Sequence, residues 1–261
     1  MSGIPTPRIS IIIAVLNGAA TLERCIESIC SQSWPNKEVI VIDGGSTDGT
    51  IRILEKKTDQ IAYWESGQDK GIYHAWNKAL PYASGDWICF LGSDDYFWEK
   101  DVLTKTAPSL EIAERRKIRL VYGRLAVVGK GGKVHGFVGE PWDKDMGVMT
   151  HKMPPHPGML HHTDFFRDHG GFDESFRIAA DYEIMLRELA DRDAMFVPEV
   201  VVAAIQQGGV SCNIRQIGRL IVEDIRARKM NGMKPITVYA LKYYIVTLKN
   251  TLLNAVFRNI M

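Results

Sequence analysis

The chain has no run of 18 uninterrupted apolar residues, no Cys-x-x-Cys pair and no strong charge of either sign. The first absence leaves no obvious helix able to cross a bilayer. The second, with only four cysteines (Cys25, Cys30, Cys89 and Cys212) in 261 residues, argues against a disulfide-stapled secreted scaffold and for reduced thiols in a cytoplasmic protein. Met1-Ser2-Gly3-Ile4-Pro5 lacks the basic region and apolar stretch of a secretory signal. A formal net charge of +1 gives no reason to expect a nucleic-acid partner. Internal repeats and low-complexity segments are also absent.

What is present is the composition of a soluble globular protein, 46% apolar and 24% charged. The length suits one large domain or two intimate subdomains. Charge is unevenly spread, however. Residues 213–261 hold nine Lys/Arg against Glu223 and Asp224, a net of +7, which leaves −6 for the remainder. A slightly acidic body with a basic tail points to a tail that meets something anionic.

The first hundred residues alternate strand and helix. Ile9 to Leu16 is a near-continuous apolar run, as in a strand buried on both faces. Asn17-Gly18 breaks it, and Thr21 can cap a helix whose apolar positions are Leu22, Cys25, Ile26 and Ile29. Further strands are predicted at Glu38–Ile42, Ile61–Trp64 and Trp87–Leu91, with helices from Thr50 and over Ile72–Ala83. This βαβαβαβ order predicts an α/β fold with a mostly parallel twisted sheet and helices on both faces. In the second half, Arg119–Val128 and Lys133–Val138 flank Gly129-Lys130-Gly131-Gly132 as a hairpin. Residues 139–158 form a Pro-rich loop, followed by a helix over Asp181–Asp191 and two strands near Met195–Val197 and Val200–Ile205.

The chemistry is predicted at the carboxyl ends of the strands, where open α/β sheets bind ligands. Trp87 to Leu91 ends in Gly92-Ser93-Asp94-Asp95. Two adjacent carboxylates at such a strand end are costly unless a cation shares the site, and a hard divalent metal carrying phosphate oxygens is the usual partner. The plainer alternative is a solvated pair capping a helix that begins near Trp98. The strand before Asp43 leads into Gly44-Gly45-Ser46-Thr47-Asp48-Gly49, which allows close backbone approach. Asp43 could accept a hydrogen bond from a base imide or a ribose hydroxyl; alternatively Asp43 and Asp48 simply cap turns.

These segments together are identifiable. Ile9 to Asn17, Ser28 to Ser33, Glu38 to Thr50, Asp69-Lys70-Gly71-Ile72-Tyr73 with Asn77-Lys78, and Phe90 to Asp95 resemble the opening of family 2 glycosyltransferases. The resemblance covers roughly residues 8–210 and implies a GT-A fold. It further implies an inverting transfer from a nucleotide diphosphate sugar, usually a UDP-sugar, with Mn2+ or Mg2+. Carried onto this chain, it implies Val15 and Asn17 beside the nucleotide, Asp43 holding the base, and Asp69 and Asn77 completing the base and ribose pocket. Ser93-Asp94 falls at the end of the family's Asp-x-Asp element, with Asp94 a metal ligand and Asp95 assisting. Gly92 departs from the pattern, standing where the first Asp usually lies.

Gly170-Gly171-Phe172-Asp173-Glu174-Ser175-Phe176 and then Ala179-Ala180-Asp181 are similar to the family segment that ends in Glu-Asp. Ala180 replaces the Glu; Asp181 remains and is implied to be the general base. A helix N-cap is the competing reading of Asp181, and Glu183 the rival base. His151, His156, His161 and His162 cluster without a cysteine partner or a familiar zinc spacing. His156, Trp142 and Ser211 are expected at the donor or acceptor.

The sequence divides into a catalytic domain over 1–212 (a nucleotide-sugar half, 1–115, and an acceptor half, 116–212) and a C-terminal segment, 213–261. In the latter, Leu241, Tyr244, Ile245, Leu248, Leu252, Ala255 and Val256 share one helical face flanked by Lys242 and Lys249. With its basic charge this suits peripheral contact with anionic lipid at the inner face of the plasma membrane; packing on the body or on a second subunit is the other possibility. Many relatives build on polyprenyl-diphosphate-linked acceptors, so the expected activity is sugar transfer to a glycan or lipid-linked acceptor in cell-surface polysaccharide synthesis. A sugar nucleotidyltransferase would want a basic Gly-rich triphosphate loop, which Asn17-Gly18-Ala19-Ala20 is not. A non-catalytic glycan-binding descendant is the third reading, prompted by Gly92 and Ala180.

Overall fold

The computed structural model describes residues 6–144, 153–207, 216–238, 241–242 and 245–246. In chain order the elements are β1 (Ile9–Val15), α1 (Leu22–Cys30), β2 (Lys37–Asp43), α2 (Thr50–Lys56), β3 (Tyr63–Ser66), α3 (Ile72–Ala79), β4 (Trp87–Gly92) and β5 (Tyr96–Phe97). There follow α4 (Val102–Arg116), β6 (Leu120–Val128), β7 (Val134–Val138), β8 (Leu160–His162), α5 (Thr163–His169), α6 (Ala180–Leu189), β9 (Met195–Gln206) and α7 (Ile217–Met230).

One sheet runs in the order β3-β2-β1-β4-β8-β6-β9-β5, with β7 paired to β6 outside that path. β1 lies parallel between β2 and β4, with Ile12 opposite Ile40 on one side and Phe90 on the other. Because β1, β2, β3 and β4 all run one way, their following loops gather at one rim. Side-chain alternation divides the core in two. Ile9, Ile11, Ile13 and Val15 pack with Leu22, Cys25, Ile26 and Ile29 of α1 and with Val102, Leu103 and Leu110 of α4. Ile12, Ile40, Ile88 and Phe90 point the other way, onto Tyr73 and Trp76 of α3 and Ile184 and Met185 of α6. The predicted α/β sheet with helices on both faces is therefore present.

Several boundaries differ from expectation for identifiable reasons. α3 ends at Ala79 rather than Ala83, because Pro81 supplies no N–H and the chain tightens into a 3₁₀ turn over Leu80–Tyr82. β3 begins two residues late, at Tyr63. α4 starts at Val102 rather than near Trp98, since Tyr96 and Phe97 pair with β9 and the Trp98 N–H bonds Val202 O at 3.1 Å. The two strands expected after α6 are one 12-residue strand. Its register on β6 jumps from Val197 to Val201, passing over Pro198, which cannot donate to a ladder.

The described part of the C-terminal region packs on the body. Although charge marks residues 213–261 off in the sequence, α7 packs on α6, Ala227 is fully buried, and Glu223, Asp224 and Arg228 are buried with it. Most of the apolar face expected beyond Leu241 lies outside the described residues; Leu241 and Ile245, within them, are more than half exposed.

At the opposite rim, the strands start on a tight contact. A Cβ at Gly85 would lie 2.7 Å from both Ser10 N and Ser10 Oγ and 2.8 Å from Arg8 O. Gly85→Ala is expected to destabilise the fold by about 1–3 kcal/mol through forced backbone displacement, read as a lower urea midpoint at unchanged slope.

Candidate active site

Four loops meet at the carboxyl rim, and their contacts leave no room for ordinary side chains. A Cβ at Gly18, after β1, would lie 2.5 Å from Val15 Cγ2 and 3.2 Å from Ser93 Oγ, after β4. A Cβ at Gly44, after β2, would lie 2.5 Å from Asp69 Oδ2, after β3. Asn17 adopts a left-handed backbone (φ 53°), donates its N–H to Ser46 Oγ at 2.6 Å and accepts from the Thr47 N–H at 2.9 Å. The Val15 carbonyl accepts from the Gly44 N–H at 2.8 Å. The segments predicted to enclose a nucleotide are thus brought together.

Two residues in that group are engaged by protein partners. Asp43 is fully buried. Its carboxylate accepts from the Gly45 and Ser46 N–H groups at 3.1 and 3.0 Å, from the Ser66 hydroxyl at 2.6 Å, and from the Ser46 hydroxyl. With its oxygens so engaged, Asp43 organises the loop that surrounds the pocket rather than offering a free acceptor. Asn77 likewise braces protein to protein. Its Nδ2 donates to Phe172 O and its Oδ1 accepts from the Phe172 N–H, both at 2.8 Å, and Nδ2 also reaches Glu174 at 3.0 Å. It fixes α3 against the segment leading to Asp181. Asp69 is half-buried and accepts from the Gly71 N–H at 2.8 Å, with Oδ2 turned toward Gly44.

The end of β4 has the form of a cation site. A Cβ built on Gly92 would lie 2.8 Å from Asp95 Oδ2 and 2.9 Å from Asp94 Oδ1, so two carboxylate oxygens converge over the place a side chain would fill. Asp94 is exposed and Asp95 is buried. Asp95 accepts from the Gly92 and Gln206 N–H groups at 3.2 and 3.4 Å. Burial, and then the neighbouring Asp94 charge, push the Asp95 carboxyl up to about 7. A hard cation relieves this mutual repulsion, so the pair fits a divalent metal. Gly92 and the inward fold of the carboxylates belong together, since an aspartate there would collide with both. Among the described residues only these two carboxylates converge there, and no group of three or more metal-ligating side chains is found. Arg24, unremarked in the sequence, donates to Asp94 O at 2.8 Å and lies over the Tyr96 ring at 4.3 Å.

Asp181 is the second residue of α6, with Ala179 in the cap position. Half-buried, it lines a cleft of about 220 Å³ with Met153, Pro154, His156, Tyr182 and Asp224. It therefore opens on space where a ligand hydroxyl can come. Burial holds its carboxyl above the usual range, opposed by the Tyr182 N–H and the Tyr73 hydroxyl. Tyr73 Oη donates to Asp181 Oδ1 at 3.1 Å. Tyr73 packs with Trp76 in the core, and only the fold shows that its hydroxyl reaches Asp181, 108 residues away. The rival Glu183 is buried and paired with Arg187 and Asn231, so it is spoken for.

The remaining expectations divide. His156 reaches the same cleft, but it is buried among Trp76, Phe90 and His161, with ring centroids at 5.1, 5.5 and 5.1 Å. Burial pushes its imidazole down to about 3, so it is a neutral group and not a cationic phosphate clamp. Trp142 packs against the same core, with its indole N–H buried. Ser211 lies outside the described residues.

Residues 10–116 match the glycosyl transferase family 2 model. A glycosyltransferase of Mycobacterium tuberculosis (strain ATCC 25618 / H37Rv) is 32% identical over 182 residues, 69% of this chain and 68% of its own length. The UDP-Glc:alpha-D-GlcNAc-diphosphoundecaprenol beta-1,3-glucosyltransferase WfaP of Escherichia coli is 34% identical over 142 residues, 54% of this chain and 55% of its own. Among solved structures, a mannosyltransferase from Pyrobaculum calidifontis in complex with GDP-Man and Mn2+ superposes with a TM-score of 0.65. It covers 96% of this chain and 75% of that one, at 19% identity. Motifs, fold and relatives agree: the chain belongs to glycosyltransferase family 2, has the GT-A fold, and is a glycosyltransferase.

Proposed function

We propose that the protein transfers a sugar, with inversion, from a UDP-sugar to a hydroxyl of a glycan or lipid-linked acceptor. The observation that carries this reading is a carboxylate of raised proton affinity, Asp181, opening on a cleft and tied through Tyr73 to α3, the helix that follows the Asp69 loop. Asp181 takes the acceptor hydroxyl's proton as the acceptor oxygen bonds to the anomeric carbon. The bond from that carbon to the diphosphate oxygen breaks in the same step, and the sugar configuration inverts. A base whose carboxyl sits above the ordinary carboxylate range is better matched to a hydroxyl, and such a group contributes roughly 10²–10⁴ in rate.

The loops after β1, β2 and β3 supply the nucleotide pocket: Val15, Asn17 and Asp69 border it, and Asp43 and Asn77 keep its walls in place. Asp94 and Asp95 would hold Mn2+ or Mg2+, which when bound neutralises charge on the departing diphosphate. Ser93 lies beside Gly18 at the mouth of the same rim. The UDP donor is supported by the Escherichia coli relative's name, and the cation by the Mn2+ in the archaeal mannosyltransferase complex. A lipid-linked acceptor follows the same Escherichia coli relative. Surface polysaccharide synthesis at the cytoplasmic face of the membrane fits such an acceptor, with the basic C-terminal segment resting on anionic lipid. No helix among the described residues is long and apolar enough to cross a membrane.

Three outcomes test this reading. UDP release should be detectable with at least one member of a UDP-sugar panel; Asp181→Asn should lower it by roughly 10²–10⁴-fold while UDP binding, measured by calorimetry, persists. Mn2+ should raise the melting temperature more at pH 8 than at pH 6. Between the two, Asp95 gives up the proton that competes with the cation, since its carboxyl lies at about 7; Asp94→Asn and Asp95→Asn should abolish the rise. In sedimentation with vesicles containing phosphatidylserine, the full chain should pellet and a chain ending at Pro235 should stay in solution. Equal pelleting would remove the lipid contact.

A further inference from the structure

The turn that presents Asp181 is held by a carboxylate from another element. Three successive N–H groups just ahead of α6, those of Arg177, Ile178 and Ala179, all point at Glu223 of α7. Arg177 N lies 3.0 Å from Oε1 and 3.1 Å from Oε2; Ile178 N and Ala179 N lie 2.8 and 3.1 Å from Oε2. Glu223 is buried. Such N–H groups have no partner within the helix they precede, and burying them unpaired is costly. A carboxylate at a helix N-terminus is also favoured by the helix dipole. The neighbouring residues reinforce the attachment. Arg226 of α7 donates to Ser175 Oγ at 2.6 Å and lies 4.4 Å over the Phe176 ring. On the donor side, the Arg177 guanidinium bonds the Lys70 carbonyl, next to Asp69. The segment that ends in Asp181 is therefore gripped by α7 on one side and by the nucleotide-pocket loop on the other.

We infer that Glu223 is a positioning residue for the transfer reaction, fixing the Asp181 carboxylate against the acceptor hydroxyl from outside the segment that carries it. The inference rests on Asp181 being the base. It makes α7 part of the catalytic unit, although the family-model match ends at residue 116. Its charge adds a smaller effect to its hydrogen bonds: Glu223 raises the Asp181 carboxyl, after burial and the opposing Tyr182 N–H and Tyr73 hydroxyl. The other groups around Asp181 are Tyr73 from α3, neutral His156 from the loop before β8, Tyr182 beside it on α6, and Asp224 from α7.

Two substitutions separate positioning from simple structural support. Glu223→Ala leaves three N–H groups without their acceptor. Glu223→Gln keeps one oxygen for them and removes the charge. UDP release from UDP-glucose, UDP-galactose and UDP-N-acetylglucosamine should fall on the order of 10²-fold in kcat for Glu223→Ala, the scale of a small misplacement of a reacting group, with donor KM unchanged. Glu223→Gln should recover most of the loss and move the acidic limb of the pH profile to lower pH, because a like charge near Asp181 has gone. The same downward shift should appear when the Asp181 carboxyl is titrated by carbon-13 NMR, which needs no turnover and serves if Glu223→Ala does not fold. Wild-type kcat in both variants would overturn the inference. So would an unmoved Asp181 titration in Glu223→Gln. Undiminished turnover in Asp181→Asn would instead overturn the assignment of the base, and is read independently.

Discussion

The placement of β1 between two parallel neighbours is the constraint on which the site depends. Parallel pairing with β2 and β4 sends three chain reversals to one edge of the sheet, and burial on both faces fixes the register. A slip of one residue would turn Ile9, Ile11 and Ile13 from the α1 and α4 side to the α3 side and carry Ser10 into their place. The hydrophobic cost of that exchange holds Asn17, Asp43 and Asp94 at a common rim. Polar chemistry at the edge is thus secured by apolar packing beneath it.

The second half of the molecule brings Asp181 toward that rim from a different direction. α6 lies against the same face of the sheet as α3, through Ile184 and Met185. Two polar links then set its near end: Asn77 clasps the Phe172 backbone, and Tyr73 reaches Asp181. Both links start from α3, the helix that follows the Asp69 loop. The Asp69 loop and the Asp181 carboxylate are therefore referenced to one short helix.

Much of this was legible in the residues. The continuous apolar run at Ile9, the Asp-Gly-rich turn after Asp43 and the paired aspartates after Phe90 each carry a local signal, so the Rossmann-like half could be read directly. The motif at Asp181 was legible by resemblance alone. Hidden from the sequence were the cross-chain partners. Nothing in the spacing of Tyr73, Asn77 or Glu223 reveals what they touch, because their partners lie 108, 95 and 44 to 46 residues away. Of the two readings that the sequence leaves open for Asp43, a ligand contact or a turn cap, the four protein donors on its carboxylate bear out the cap. The charge boundary before residue 213 is silent on this packing, since net charge records what faces solvent and says little about Ala227 or Glu223 inside.

The glycines at 18, 44 and 171 touch neighbouring side chains so closely that a methyl group would lie within 2.5 Å of them. Loops interlocked in this way have surrendered their freedom when the chain folds, before any donor arrives. A nucleotide entering such a frame meets walls already standing, and its binding is spared the entropic toll of ordering them.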